Sequence, residues 1–255
     1  MRLPAASDRA FALEIVVPAI LLATVRFGEG DAVATLFTEG HGLFRGLARG
    51  AQSRAHAATW QAGNLLNVRW IARLEDQLGS VMGEVLHPSA ALAMADPYGL
   101  AVLSAACAVA EGALPERQPY PAIFRGLLHV IAHCEVEGAA ALPELIRWEA
   151  GLLRELGYGL DLTACAVSGS TENLAYVSPR TGRAVSRAAA APWEERLLRL
   201  PAFLVRETDG DMAEWADGLR LTGHFLARDV FGLRHRPLPA PRVRLAEQVV
   251  AGTKQ

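Results

Sequence analysis

The feature that most constrains this chain is a change in the period of its hydrophobic pattern near residue 87. Before it, β-branched and apolar residues come in short runs, IVVPAILLATV, AVATLF, LLNVRWIARL and SVMGEVL among them, broken by the glycine-bearing turns GEGD, EGHG, AGN and LG. Runs of this length between such breakers read as strands. Five of them fall within residues 15–87 with little room for helix, which predicts a small all-β barrel. An oligonucleotide-binding (OB) fold needs a barrel of this size, and other small barrels fit the pattern as well. Pro18 is expected at the start or on an edge of its strand, because it cannot donate to a ladder.

After residue 87 the period becomes helical. Segments 98–111, 121–136 and 142–156 carry apolar residues at three- and four-residue spacing. Pro88, Pro97, Pro115, Pro119, Pro121 and Pro143 fall near helix starts or between helices, where a missing N–H costs least. Gly157 and Gly159 suit a helix C-terminus. An insert at 160–187, rich in Ser, Thr and Gly, holds two strand-like pieces, and further helices are expected near 194–200, 212–231 and 242–250. The chain is therefore read as a multi-domain α+β protein. It has a lead-in (1–10), a small β-barrel of OB type (11–87), and a mostly α-helical domain (88–255) with an irregular, zinc-finger-like insert.

Charge adds a local signal. Residues 41–73 hold five arginines, two histidines and no carboxylate, although the formal net charge of the chain is −2. That is a positive field in a nearly neutral protein, with glycines between the charges where the backbone can turn tightly. Net charge excludes wholesale coating of a polyanion, so any such binding is a property of a patch. The plain alternative is a solvated face of a small β domain.

Other classes find little support. Three widely spaced cysteines suit a reducing compartment. The apolar run at 10–25 is interrupted by Glu14 and Pro18 and falls short of the roughly 20 residues that span a bilayer. Asp8 precedes it where a secretion signal would be basic, so it reads as a buried strand with its lead-in, in a cytoplasmic protein. Ser168, Ser170 and Ser178 lie outside any strand–nucleophile–helix elbow, and neither a GKS or GKT phosphate loop nor an HExxH pair occurs. His129 and His133 share a helical face but lack a third ligand, and Cys165 with Ser168 forms half of a metal pair without a second half. No enzyme, metal or cofactor is expected.

Taken together, the run FGEGDAVATLFTEGHGLFRGLARGAQSR, then QAGNLLNVRWIARLEDQLG, then RWEAGLLRELGYGLDLTACAVSGSTENLAYVSPRTGRAVS and RLLRLPAFL resemble the bacterial recombination mediators of the RecO family. The resemblance covers about residues 15–244, with the blocks in the family's order. It implies an OB barrel joined to a helical domain, in a nucleoid-associated protein of DNA repair and homologous recombination. Implied partners are single- and double-stranded DNA, RecR, the C-terminal tail of the single-stranded-DNA-binding protein (SSB), and RecF and RecA. The implied action is to anneal complementary strands and help load RecA on SSB-coated DNA. Some relatives carry a four-cysteine zinc site in the insert. This chain departs from that pattern, with Ser168 where a second ligand would stand and no cysteine in the AVS segment ending at Ser186.

A barrel that holds a single strand uses cations on phosphates and aromatics under bases. Arg45, Arg49 and Arg54 are the first candidates for phosphate contacts, Arg69 and Arg73 the second, and Arg26 the third. Arg45 and Arg49, like Arg69 and Arg73, would share one side of a strand or helix. Phe44, Trp60 and Trp70 are candidate stacking groups, of which Trp70, alternating with Arg69, reads as core and Trp60 lies in a polar loop. The alternative function is a protein-interaction adaptor whose barrel does not touch DNA, with Arg220, His224 and Arg228 on its helical surface. Arg234, His235, Arg236, Arg242 and Arg244 read as a solvated connector. In an insert without zinc, Leu174, Tyr176 and Val177 should pack inward, with Arg180 or Arg183 paired to acids or DNA.

Overall fold

A computed structural model describes residues 13–74, 77–136, 138–191 and 193–253, so the lead-in expected at 1–10 lies outside the described residues. The chain forms two compact units. One runs to Pro88 and also takes in Glu116–Pro119, and the other comprises Ser89–Pro115 and the chain from Tyr120 onward.

The first unit is a closed five-stranded barrel. Its strands are β1 (Leu13–Phe27), β2 (Asp31–Thr38), β3 (Gly42–Ala48), β4 (Leu65–Ala72) and β5 (Gly79–His87), in the closed order β1-β2-β3-β5-β4. Only β3 and β5 pair in parallel. This is the OB topology. The long β1 closes the barrel by serving two partners, pairing with β4 from Leu13 to Ile20 and with β2 from Ile20 to Phe27. Pro18 sits inside the strand and not at its start, opposite Asn67, at a point where β1 is paired on one side only. Alternation sends Phe44, Leu66, Val68, Trp70 and Val81 into the barrel, where all are buried. The Trp70 indole N–H donates to the Arg45 carbonyl (2.9 Å), satisfying its one polar group. A Cβ at Gly79 would lie 2.3 Å from the Trp70 ring, so the parallel closure depends on a bare backbone there.

The Glu116–Pro119 segment hooks onto this barrel. The Arg117 N–H donates to the Leu43 carbonyl (2.8 Å), and the Arg117 guanidinium lies 4.5 Å from the Trp70 ring centroid. The segment joins the two longest helices of the second unit, and neither hydrophobic period nor charge marks it in the sequence.

The second unit is helical, with α1 (Ser89–Ala93), α2 (Pro97–Ala113), α3 (Pro121–Val136), α4 (Ala141–Glu155), α5 (Arg187–Ala190), α6 (Met212–Phe225) and α7 (Ala240–Gly252). Asp96 caps α2, its carboxylate accepting from the N–H groups of Tyr98 (2.7 Å) and Gly99 (3.0 Å), with Pro97 in the first turn. At the centre, the fully buried Glu149 of α4 meets Arg242 of α7 at 2.6 and 2.9 Å. The Thr222 hydroxyl of α6 donates to the same carboxylate. Arg242 is thus 1% exposed, which corrects its reading as part of a solvated connector. An arginine amid apolar neighbours at helical spacing can face inward when a carboxylate waits there.

The insert carries β6 (Leu174–Val177), β7 (Ala184–Ser186) and, beyond α5, β8 (Leu198–Arg199), in the order β7-β6-β8. The helix expected at 194–200 is instead a single 3-10 turn, Glu194–Arg196, followed by β8. The Leu200 N–H donates to the Ala175 carbonyl (2.9 Å), so sheet pairing replaces the last helical turn ahead of Pro201. Tyr176 and Val177 are buried, Leu174 packs against the cluster around Cys165, and Arg183 pairs with Asp161 at 3.4 Å. No zinc-finger ligand set is built: among the described residues no three His, Cys, Asp or Glu side chains group so as to hold a metal. Positions Ser168 and Ser186 instead give their N–H groups to the Cys165 sulfur, at 3.4 and 3.2 Å.

Candidate nucleic-acid interface

Strand register decides which of the arginines share a surface. On β3, Phe44, Gly46 and Ala48 point inward, so Arg45 and Leu47 point outward, and Arg49 follows immediately after the strand. On β4 the same alternation turns Arg69 and Ile71 outward, with Arg73 just past the strand's end. The strand between β3 and β4 is β5, and its pairings align Leu47, Ser80 and Ile71 in one row. Two residues further along, Arg69 lies opposite Met82 on one side of β5, and on the other side Arg49 directly follows Ala48, the last residue of β3 paired with it. Two arginine columns therefore stand on either side of β5, about 10 Å apart by the normal strand spacing.

The corner beside Arg49 gathers one more candidate. Asp31 accepts from the Gly50 N–H (2.8 Å) and the Gln52 N–H donates to the Gly30 carbonyl (3.0 Å), tying the β1–β2 turn to the chain after β3. Arg54 follows the tied segment and is exposed, whereas Arg26, also exposed, pairs opposite the core residue Ala32, so register turns it to the other side of the sheet from Arg45. Arg26, Arg49, Arg54 and Arg73 make no ion pair among the described residues. Arg69 pairs with Glu14 on β1 at 2.7 Å, and Arg45 with Glu116 of the hook at 3.4 Å. The Arg69 hydrogen bond holds the Glu14 carboxyl below the usual carboxylate range. Both carboxylates come from outside residues 41–73, which explains why that stretch reads as purely cationic in the sequence.

The three aromatic candidates are not on this surface. Phe44 and Trp70 face the barrel interior, packed edge to face at 5.8 Å, and both are fully buried. Trp60, placed by sequence in a polar loop, is 8% exposed and belongs to the barrel core, where its ring tip lies over Gly83. The Trp60 backbone N–H donates to the His56 carbonyl, and Ala57 likewise to Ser53, so the connection turns helically and delivers the indole inward. The sequence reading passed over Phe27, the last residue of β1, which is 54% exposed opposite Asp31. Its signal was a large aromatic directly before a glycine turn and beside Arg26.

His129 and His133 are bound locally. His129 meets Glu144 at 3.1 Å and the His133 ring hydrogen-bonds the His129 carbonyl at 2.9 Å, which leaves them as helix-surface pairs.

By fold and surface this is an OB barrel with an arginine-bearing outer face, joined to an α-helical unit. Two family descriptions match it in sequence, "Recombination protein O N terminal" over residues 13–88 and "Recombination protein O C terminal" over 94–238. Three curated relatives are each named DNA repair protein RecO. The one from Granulibacter bethesdensis is 55% identical, over 95% of this chain and 98% of its own length. That from Acidiphilium cryptum is 56% identical over 91% and 94%, and that from Gluconacetobacter diazotrophicus 52% identical over 94% and 96%. The chain belongs to the RecO family of DNA repair proteins. Among the described residues no helix is long and apolar enough to cross a membrane.

Proposed function

We propose that this protein is a recombination mediator that binds single- and double-stranded DNA on the outer face of its barrel and anneals complementary strands. The observation that carries the reading is the pair of arginine columns flanking β5, continued by Arg54 at the corner. Such a surface neutralises phosphates without reading bases, so binding is independent of sequence. Annealing follows from the same chemistry. Two strands repel through their phosphates, and a surface that screens both while leaving bases accessible lowers that barrier. No bond is made or broken, so no catalytic residue is assigned. Phe27 is the aromatic placed to stack on a base beside Arg49.

In the cell, on this reading, the protein works in the cytoplasm at the nucleoid. It acts with RecR, with or without RecF, to load RecA on DNA coated by SSB, whose acidic tail docks on the helical unit. The family supports these partners.

The test is fluorescence anisotropy of a labelled single strand, titrated across salt, for the wild type and for Arg45, Arg49 and Arg54 changed together to Ala. With about five phosphates contacted, the log–log slope is near −3.5, roughly a hundredfold loss of affinity between about 50 and 200 mM salt. The triple variant should flatten the slope by about 2. An unchanged slope would move the DNA off the barrel, and a wild type that fails to bind would favour a protein-interaction adaptor.

A further inference from the structure

We propose that Glu116 is a built-in competitor for phosphate at Arg45, so that the hook between α2 and α3 restrains the barrel face from within the same chain. The proposal rests on the barrel reading above and adds a regulatory contact to it.

The position of Glu116 is imposed by its neighbours. Residue 116 bridges Leu43 in parallel, and the next residue donates its N–H to the Leu43 carbonyl. A Cβ on Gly42 would lie 2.2 Å from the Gln118 carbonyl oxygen, so the hook backbone lies directly against the start of β3. Arg117 has φ of +63°, a left-handed conformation that a residue with a side chain rarely adopts. Its guanidinium packs over Trp70 at 4.5 Å and near Phe44 at 5.7 Å, which holds it there. The carboxylate of Glu116 is thereby delivered 3.4 Å from the Arg45 Nε on the outer face of β3, with both side chains about half exposed (46% and 50%).

Half exposure is what lets the contact act as a restraint. A solvent-accessible ion pair is weak, so a strand of DNA can displace it, yet each displacement costs the pair and brings phosphate towards a fixed negative charge. Glu14 pairs with Arg69 from β1, part of the barrel wall. Glu116 instead sits in a connection between two helices, so a partner that engages that connection would change the DNA affinity of the barrel without touching DNA.

The experiment is a double-mutant cycle on the full chain, read as single-strand affinity at about 50 mM salt, with Glu116→Gln, Arg45→Ala and the combination. Glu116→Gln should tighten binding by about three- to tenfold, the scale of one screened surface charge interaction. The gain should vanish in the Arg45→Ala background. Glu116→Ala should reproduce it, and thermal melting reports whether each variant is folded. No gain, weaker binding, or an equal gain without Arg45 would each overturn the proposal. The last outcome would reduce Glu116 to diffuse repulsion. If the Arg45, Arg49 and Arg54 triple variant binds as the wild type does, the barrel reading itself fails. A failed cycle with an impaired triple variant removes the restraint alone.

Discussion

Cys165 is 2% exposed, and burial pushes its thiol up, yet hydrogen bonds from Ser168 and Ser186 to the sulfur outweigh that and bring it down to about 6. A pKa depressed by folding stabilises the native state above the unfolded value, and that stabilisation is lost as pH falls through the folded one. Stability should therefore rise between about pH 6 and pH 9, and Cys165→Ala should flatten that part of the profile, as thermal melts across the range will show. A variant with the wild-type slope would mean that other groups set it. Cys107 and Cys134 show the opposite balance, since burial pushes both thiols up to about 12 with no comparable set of donors. The sequence sets Cys165 apart only as half of a metal-binding pair. What separates Cys165 is a loop that folds back on itself, with Ser186 brought to the sulfur by sheet pairing and not by sequence proximity.

At the scale of elements, the parallel pairing of β3 with β5 decides both the closure of the barrel and the layout of its arginines. Gly79→Ala would put a methyl into the Trp70 ring, and the expected loss is about 3 kcal/mol, the usual scale of overpacking a closed core. Urea denaturation checks it, and a wild-type midpoint would show that ring and strand can part cheaply. Period and turn chemistry were enough to read the strands, the switch at residue 87 and the long helices of the second unit, but not segment 194–200, where sheet pairing replaces the expected helix. The four-residue spacing of Arg45 with Arg49 and of Arg69 with Arg73 was also legible, the second of each pair standing just past its strand. That β5 lies between the two pairs was not, because strand order is set by closure and no local pattern encodes it. Trp60 was misread because a polar loop can still turn one large side chain inward. Glu116 and Arg117 were invisible because a hook is defined by what it docks against, some 70 residues away in sequence.

For the whole molecule, a surface that works by neutralising charge needs neither nucleotide nor divalent cation. Annealing of complementary strands should proceed at an unchanged rate in EDTA and slow as salt rises, which a stopped-flow assay of duplex formation can measure. A requirement for either cofactor would call for chemistry that the arginine surface does not supply. The buried carboxylate of Glu149 has a consequence of another kind, for the order in which the chain is completed. Its partner Arg242 lies on the last helix, and a buried charge left without its partner costs about 3–5 kcal/mol. All five barrel strands and their hook have been synthesised by residue 119, but α4 must wait for α7. At ribosomal speed that interval is on the order of ten seconds. The nascent protein thus passes through a stage in which its barrel can be finished while its helical half cannot, and a chain cut short of α7 is left with an exposed defect for proteases and chaperones to find.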